Sequence, residues 1–333
     1  MSAYMISRRR SKREAAVVGP EEKRYSDPGM DPRKTDPFPD RPCPLCGATE
    51  RQTRHRAPTP ERPDLDVVRC AGCGLLFAHP LPDRSSILAR YDDGYFHCGT
   101  PLAGGYEDYA RDEPLIRRTF ARRWADFQAL GAEPPVRRVL DVGCATGVFL
   151  DFMREKGWEA EGLEIAPGPR RAAENRGFRV DGRELTAAGL EAGRFGWITA
   201  WDVIEHLPDP GAALRECHRL LAPGGLLTLS TPDASAPLAR CLGRRWLGYR
   251  CVGEHLYFFG RNTLAEWLRR TGFEVLAFSS VGKYLALDRL ATRLAFYTRI
   301  FRPLAGWKKR AGGFPVFYIN SGDTMSVVAR KVG

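Results

Sequence analysis

The chain has 333 residues, 43% of them hydrophobic and 27% charged, a globular balance over a length that suits roughly two domains. It holds no run of about 18 apolar residues, and with a mean hydropathy of −0.35 this excludes a membrane-spanning helix and a wholly disordered or collagen-like chain. The 51 lysines and arginines exceed the 40 acids by 11, which favours acidic partners such as nucleic acid, anionic membrane or phosphorylated substrates, beside the plainer reading of a basic, soluble surface.

Residues 1–40 carry Pro20, Pro28, Pro32, Pro37 and Pro39 among many charges, including Arg8-Arg9-Arg10, and read as a disordered basic arm. No apolar segment follows the basic start, so no secretory signal is expected. The nine cysteines cannot all pair with one another. A reducing, cytoplasmic setting follows, in which close cysteine pairs read as metal ligands. Residues 41–80 hold two such pairs, Cys43-Pro-Leu-Cys46 and Cys70-Ala-Gly-Cys73, each followed by a glycine, Gly47 or Gly74. Four thiolates complete a tetrahedral shell with no open position, so this module is expected to bind a structural zinc. Cys98, Cys144, Cys217, Cys241 and Cys251 read as scattered thiols.

Residues 81–136 place Tyr91, Tyr95, Phe96, Tyr106, Tyr109, Leu115, Phe120, Trp124, Phe127 and Leu130 at helical spacing, which predicts one or two helices serving as a linker or lid. From Arg137 the texture alternates. RRVLDVG, EAEGLEI, FGWITAWDVIEHL and LLTLSTPD read as strands. VFLDFMREKGW, the segment through Arg170–Arg176, and PGAALRECHRLLAPGG read as helices. RNTLAEWLRRTGFEVLAFSSV adds a further helix and strand. This is the pattern of βαβ units in a parallel sheet, over residues 137–280.

The remainder, 281–333, reads as a basic amphipathic helix and a β-hairpin. Between Lys283 and Arg310 the apolar residues Leu287, Leu290, Leu294, Tyr297 and Phe301 recur at steps of three and four, with Arg289, Arg293 and Arg299 off that face and Pro303 as a stop. Two roles are open: a lid over the acceptor, or an interfacial helix that brings the protein to anionic lipid. PVFYINSGDTMSVVARK alternates like a hairpin.

The turn Leu140-Asp141-Val-Gly143-Cys-Ala145-Thr-Gly147 joins a strand to a helix start, lacks the GxGxxG and GK[ST] spacings of phosphate loops, and sets Asp141 at the strand end, where a carboxylate can meet a cationic group. About 20 residues on, Glu164 ends the next strand, where a carboxylate can accept both hydroxyls of a ribose.

At these residues the sequence resembles the class I S-adenosylmethionine-dependent methyltransferases. LDVGCATG is similar to their first motif, GLEI to their second-strand acidic motif, AWDVIEHL to their fourth-strand segment and LAPGGLLTLSTPD to their fifth. Together with the cysteine pairs and YDDGYF, the chain resembles a bacterial subgroup that carries an N-terminal zinc module and includes sugar C-methyltransferases and enzymes of cell-surface glycan or natural-product pathways. The resemblance implies a Rossmann-like, doubly wound α/β sheet of about seven strands, preceded by a small zinc module. It places Gly143, Ala145 and Gly147 along the methionine part of the cofactor, and Asp141 at its amino group. Glu164 holds the ribose, Ile165 packs on adenine, and Trp201 and Asp202 stand beside the cofactor. Ala145 stands where the family usually has glycine.

For catalysis the candidates are His206, after Glu205, and His255, after Glu254 in VGEHLYFF, with Tyr249 and Tyr257 as possible acceptor contacts. The EHLYFF run resembles a segment of the sugar C-methyltransferases in which a histidine is a candidate base. The expected function is O- or C-methylation of a small molecule or glycan, with metal ligands Cys43, Cys46, Cys70 and Cys73. The competing readings are an RNA-modifying methyltransferase that grips RNA through the zinc module and basic arm, and a non-enzymatic binding module. STPD at the fifth-strand end, and the lack of an aromatic stacking platform in residues 43–80, count against nucleic acid.

Overall fold

The computed structural model describes residues 42–60, 62–89, 91, 109–297 and 315–333. The proline-rich arm, Tyr95, Phe96, Cys98, Tyr106, and the tail of 298–314 with Arg299, Phe301 and Pro303 lie outside these residues. In chain order, β1 (Arg51–His55), β2 (Asp66–Cys70) and β3 (Leu76–His79) form an antiparallel meander. Two helices follow, α1 (Arg84–Leu88), capped by Asp83 accepting from the Ser86 amide, and the long α2 (Tyr109–Ala129).

The alternating stretch forms β4 (Arg138–Val142), α3 (Val148–Glu155), β5 (Glu159–Leu163), α4 (Pro167–Asn175), β6 (Arg179–Asp181), β7 (Phe195–Trp201), α5 (Pro210–Leu220) and β8 (Leu221–Pro232). Each helix returns the chain to a strand parallel to the last, as a crossover connection between parallel strands does. β7 is buried on both faces for six of its seven residues, which is why FGWITAW reads as a continuous apolar run. Asp209 caps α5 by accepting from the Ala212 amide at 2.8 Å, and Pro210 takes the first helical position.

Then come α6 (Pro237–Leu242), α7 (Leu247–Arg250), β9 (Tyr257–Phe258), α8 (Arg261–Arg270), β10 (Phe273–Ser280), β11 (Lys283–Ala286), α9 (Leu287–Tyr297), β12 (Val316–Ile319) and β13 (Thr324–Lys331). The main sheet has seven strands in the order β10-β13-β8-β7-β4-β5-β6, with β13 antiparallel to both neighbours. The expected doubly wound, Rossmann-like α/β fold is therefore present.

The C-terminal segment differs from its expectation. β12 and β13 do not pair as a hairpin. β12 pairs with β11, and β13 enters the main sheet between β8 and β10. MSVVA is buried through five consecutive residues, the signature of an interior strand rather than a half-exposed hairpin arm. The helix also starts later than the basic run. Lys283–Ala286 is strand, and α9 begins at Leu287.

β9 extends the first sheet to the order β1-β2-β3-β9, with Leu76 opposite Phe258 and Phe77 opposite Tyr257. Cys43, Cys70, Leu75 and Phe77 belong to the same buried cluster as Leu140, Ile198 and Leu227 of the main sheet. The opposite face of the main sheet is sealed by α2, where the Phe127 and Trp197 rings stack with centroids 4.3 Å apart.

Candidate functional site

β4 leads to β5 on one side and β7 lies on the other, so strand order reverses between β4 and β7, and a crevice opens at their carboxyl ends. Gly143 occupies φ +74, and a Cβ there would meet Val203 Cγ2 at 2.7 Å, so the turn closes this tightly only with glycine. Ala145 adopts φ +47, a left-handed conformation that a methyl-bearing residue tolerates at a cost. Gly147 caps α3 at φ +80.

The carboxylates behind the turn are buried. Asp141 accepts from Thr199 Oγ1 at 2.6 Å, and burial pushes its carboxyl up to about 8. Glu164 accepts from the Ala145 amide on one oxygen and from the Ala166 amide on the other, each at 2.9 Å, and burial raises its pKa too.

Two cavities meet here. The smaller, about 70 Å³, lies between α2 and the Gly-rich turn and is lined by Arg123, Asp141, Gly143, Ala145, Trp201 and Lys283, among others. The larger, about 750 Å³, takes in Glu164, Ile165 and Trp201 and continues past His206 and His255 to walls of Leu238, Leu242, Trp246, Leu290 and Leu294. Trp201 borders both cavities and also packs against Phe120 and Phe149, with centroids 5.7 and 5.4 Å away.

Where the cavities join, Asp202 sits at φ +56 and accepts from Ser230 Oγ at 2.8 Å and from Lys283 Nζ at 2.7 Å. Burial alone would raise the Asp202 carboxyl, but the Lys283 ammonium and the Arg123 guanidinium hold it well below the usual carboxylate range. Arg123 is buried, lies 4.8 Å over the Trp201 ring, and its Nε has no partner among the described residues. Next to Asp202, the rings of His206 and His255 stand edge to face, centroids 4.8 Å apart. A ligand atom from each, and one from Glu205, lie within 4.8 Å of one another. Burial pushes His255 down to about 4 and Glu205 up to about 8, so both are uncharged at neutral pH.

The crevice thus collects Asp141, Gly143, Ala145, Glu164, Ile165, Trp201, Asp202, His206 and His255. Gly147 stands behind it, at the start of α3. Glu254 is half-buried and borders neither cavity; the acid facing the histidines is Glu205, because the chain turns between Glu254 and His255 and sends neighbouring side chains apart. Tyr249 and Tyr257 are core residues, Tyr249 packed on His55 and Trp246, and Tyr257 bonded to the Pro208 carbonyl at 3.1 Å.

The sequence does not single out Arg123, Lys283 or the wall from α1, which includes Ile87 and Leu88, as parts of the site. Glu205 carried a signal, its place beside His206, and the structure sets it against both imidazoles. Arg123 and Lys283 carried none, because each is one cation among many and is brought to the crevice by tertiary packing.

At the other end of β3, the thiols of Cys43 and Cys73 lie 3.6 Å apart, those of Cys46 and Cys70 3.5 Å apart, and all four within 4.8 Å. Tetrahedral ligation at a Zn–S length of about 2.3 Å needs sulfurs roughly 3.8 Å apart, so the donor set fits a zinc ion. The two knuckles repeat one turn: the Gly47 amide bonds to the Cys43 carbonyl at 2.8 Å and the Gly74 amide to the Cys70 carbonyl at 3.0 Å.

A protein of Pseudomonas aeruginosa named ubiquinone biosynthesis O-methyltransferase is 32% identical over 195 residues, 51% of this chain and 84% of its own length. A protein of the same name from Xanthomonas axonopodis pv. citri is 35% identical over 163 residues, 45% of this chain and 68% of its own. The crystal structure of a SAM-dependent methyltransferase from Archaeoglobus fulgidus superposes with a TM-score of 0.46 at 17% identity, covering 67% of this chain and 99% of that one. The family described as "Methyltransferase domain" matches residues 111–277, just over half of the 333. With the crevice at the β4–β7 switch point, this shows that the chain belongs to the methyltransferase domain family and is a class I S-adenosylmethionine-dependent methyltransferase.

Proposed function

We propose that the protein methylates a hydroxyl oxygen of a small molecule with a largely apolar body. The observation that carries this reading is the placement of two imidazoles, His206 and His255, where the cavity behind the Gly-rich turn meets a larger cavity walled by leucines and Trp246. The O-methyltransferase name of the relatives supports oxygen as the accepting atom. The apolar walls favour such an acceptor over a glycan or an RNA base.

The crevice suits the cofactor. Gly143, Ala145 and Gly147 shape the bed for its methionine part, Asp141 orients the amino group, and the Arg123 guanidinium, whose Nε has no partner among the described residues, suits the carboxylate. Glu164 has lone pairs left for ribose hydroxyls, Ile165 packs on adenine, and Trp201 and Asp202 flank the join. S-adenosylmethionine supplies an electrophilic methyl group on a sulfonium, a displacement that needs the accepting oxygen aligned and relieved of its proton. Neutral His255, with His206 edge-on to it, accepts that proton and passes it to solvent.

The remaining divisions follow. The module of residues 41–80 holds a structural zinc through Cys43, Cys46, Cys70 and Cys73. α1 and α2 of the segment 81–136 wall the crevice that residues 137–280 build. β11 and α9 of the C-terminal segment close it, with Lys283, Leu285, Leu290 and Leu294 in the cavity wall, as a lid requires. Among the described residues no helix is long and apolar enough to cross a membrane.

Transfer of labelled methyl groups to a panel of phenols, amines and sugar nucleotides tests the reading. Transfer to hydroxyls is expected, and His255→Ala should cut it about 10²–10⁴-fold while calorimetry shows cofactor affinity intact. Transfer confined to amines or sugar carbon would overturn it.

A further inference from the structure

The family-matched segment ends at residue 277, and the chain beyond it returns one charge to the join between the cavities. Lys283 opens β11, donates from Nζ to Asp202 Oδ2 at 2.7 Å, and borders both cavities. Its strand is held from several sides. Lys283 is paired with Ile319 of β12, the Tyr284 amide bonds to Thr119 Oγ1 at 3.1 Å, and the Arg118 guanidinium lies 4.2 Å over the Tyr284 ring. This is a lysine pinned between cap, α2 and the end of β7.

Asp202 is equally fixed. Its positive φ is a conformation that persists only where the surroundings over-determine it, and its amide bonds to the Ser230 carbonyl at 2.9 Å. The Lys283 charge acts on Asp202, Glu205 and His255, which stand beside it at the join. Glu205 and His255 are uncharged at neutral pH, so Asp202 is the one ionised acid among them, and it is shared between Lys283 and Arg123. The join therefore has cationic character before any acceptor enters, and the sulfonium of the cofactor adds to it. An acceptor oxygen carrying negative charge matches that field; an aliphatic alcohol does not exploit it.

We propose that Lys283 is an acceptor-binding residue whose ammonium holds the reacting oxygen as its anion, so that the acceptor is an acidic hydroxyl, a phenol or an enol, rather than an aliphatic alcohol. This rests on the O-methylation reading above. On binding, the O–H proton leaves through the His255 imidazole to solvent and the oxygen keeps the electron pair. Asp202 holds the lysine head group in place beforehand, so the charge needs no reorganisation when the oxyanion forms.

The probe is 4-nitrophenol, whose ionisation is read directly by absorbance, titrated with the full chain and S-adenosylhomocysteine in the cofactor site. Bound probe should be about tenfold more ionised than free probe near pH 6. Lys283→Met and Lys283→Gln should abolish that gain and Lys283→Arg should keep part of it, with S-adenosylhomocysteine held at saturation by each variant's own measured affinity so that cofactor binding does not enter the readout. A purely structural lysine would act only by offsetting Asp202, in which case Lys283→Met combined with Asp202→Asn would restore the gain; restoration overturns the proposal. So do equal ionisation in Lys283→Met and wild type, binding of the neutral probe by wild type, and no binding at millimolar probe. If Lys283→Met melts too early to measure, Lys283→Gln decides. Failure of methyl transfer to every hydroxyl acceptor, with the ionisation gain intact, would sink the O-methylation reading and leave the oxyanion site standing.

Discussion

Glu164 accepts from the Ala145 amide at 2.9 Å, so the acid just past β5 is tied to the turn that follows β4. Its second oxygen takes the Ala166 amide at the head of α4. One carboxylate thus fixes two loops of the crevice while lining the larger cavity. Glu164→Ala should weaken S-adenosylmethionine binding by about 2–3 kcal/mol and, by orphaning two amides, lower stability by about 1–3 kcal/mol. Calorimetry and thermal melting measure the two losses separately, and unchanged affinity would reject the ribose assignment.

Ala145 bears the strain of that same turn. At φ +47 it stands where the resemblance expects glycine. Ala145→Gly removes a left-handed penalty of roughly 1–2 kcal/mol, partly offset by the wider freedom of glycine in the unfolded chain. The expected outcome is a small rise in Tm with cofactor affinity equal or tighter. A fall in Tm would show that the methyl group packs usefully.

Local chemistry made much of this legible from sequence. LDVGCATG, GLEI and AWDVIEHL each encode a strand and its loop within a few residues, so the crevice at the carboxyl ends of β4, β5 and β7 could be read directly. Two cysteine pairs likewise announce their own convergence. What escaped depends on long-range placement. SGDTMSVVARK carries the alternation and turn of a hairpin, yet β13 finds its partners in β8, about 100 residues earlier, and in β10. Nothing near Lys283 in the sequence says that it meets Asp202, and only the packing of β11 on α2 brings them together.

The cysteine cluster predicts one zinc per chain by metal analysis. Cys43→Ser, or chelation, should lower Tm, since Cys43 and Cys70 are buried in the core shared with the main sheet. Metal-free protein with an unchanged Tm would reject a structural ion.

Glu205 and His255 give opposite pH slopes. His255 sits at about 4 when folded, below its ordinary 6.5, so the unfolded chain binds more protons between those values and stability falls as pH drops from 6.5 to 4. Glu205 sits at about 8, above its ordinary 4.5, so the folded chain holds the extra proton and stability falls as pH rises from 4.5 to 8. Asp141, also raised to about 8, adds to the second slope. Tm should therefore decline between pH 6.5 and 8, and Glu205→Gln should flatten that decline. An equal slope in the variant would place the titration elsewhere.

The pairing of β3 with β9 binds the history of the two halves of the chain together. The Ala78 amide bonds to the Leu256 carbonyl, and the Leu256 amide to the Glu205 carbonyl, each at 2.8 Å, so a ladder runs from the strand after the second cysteine knuckle to the residues beside the histidines. A gene fusion that replaced only the N-terminal segment would strip β9 of its neighbour and leave Tyr257 and Phe258 without the strand that covers them. Lineages that exchange this module should therefore change Tyr257 and Phe258 together with Leu76 and Phe77.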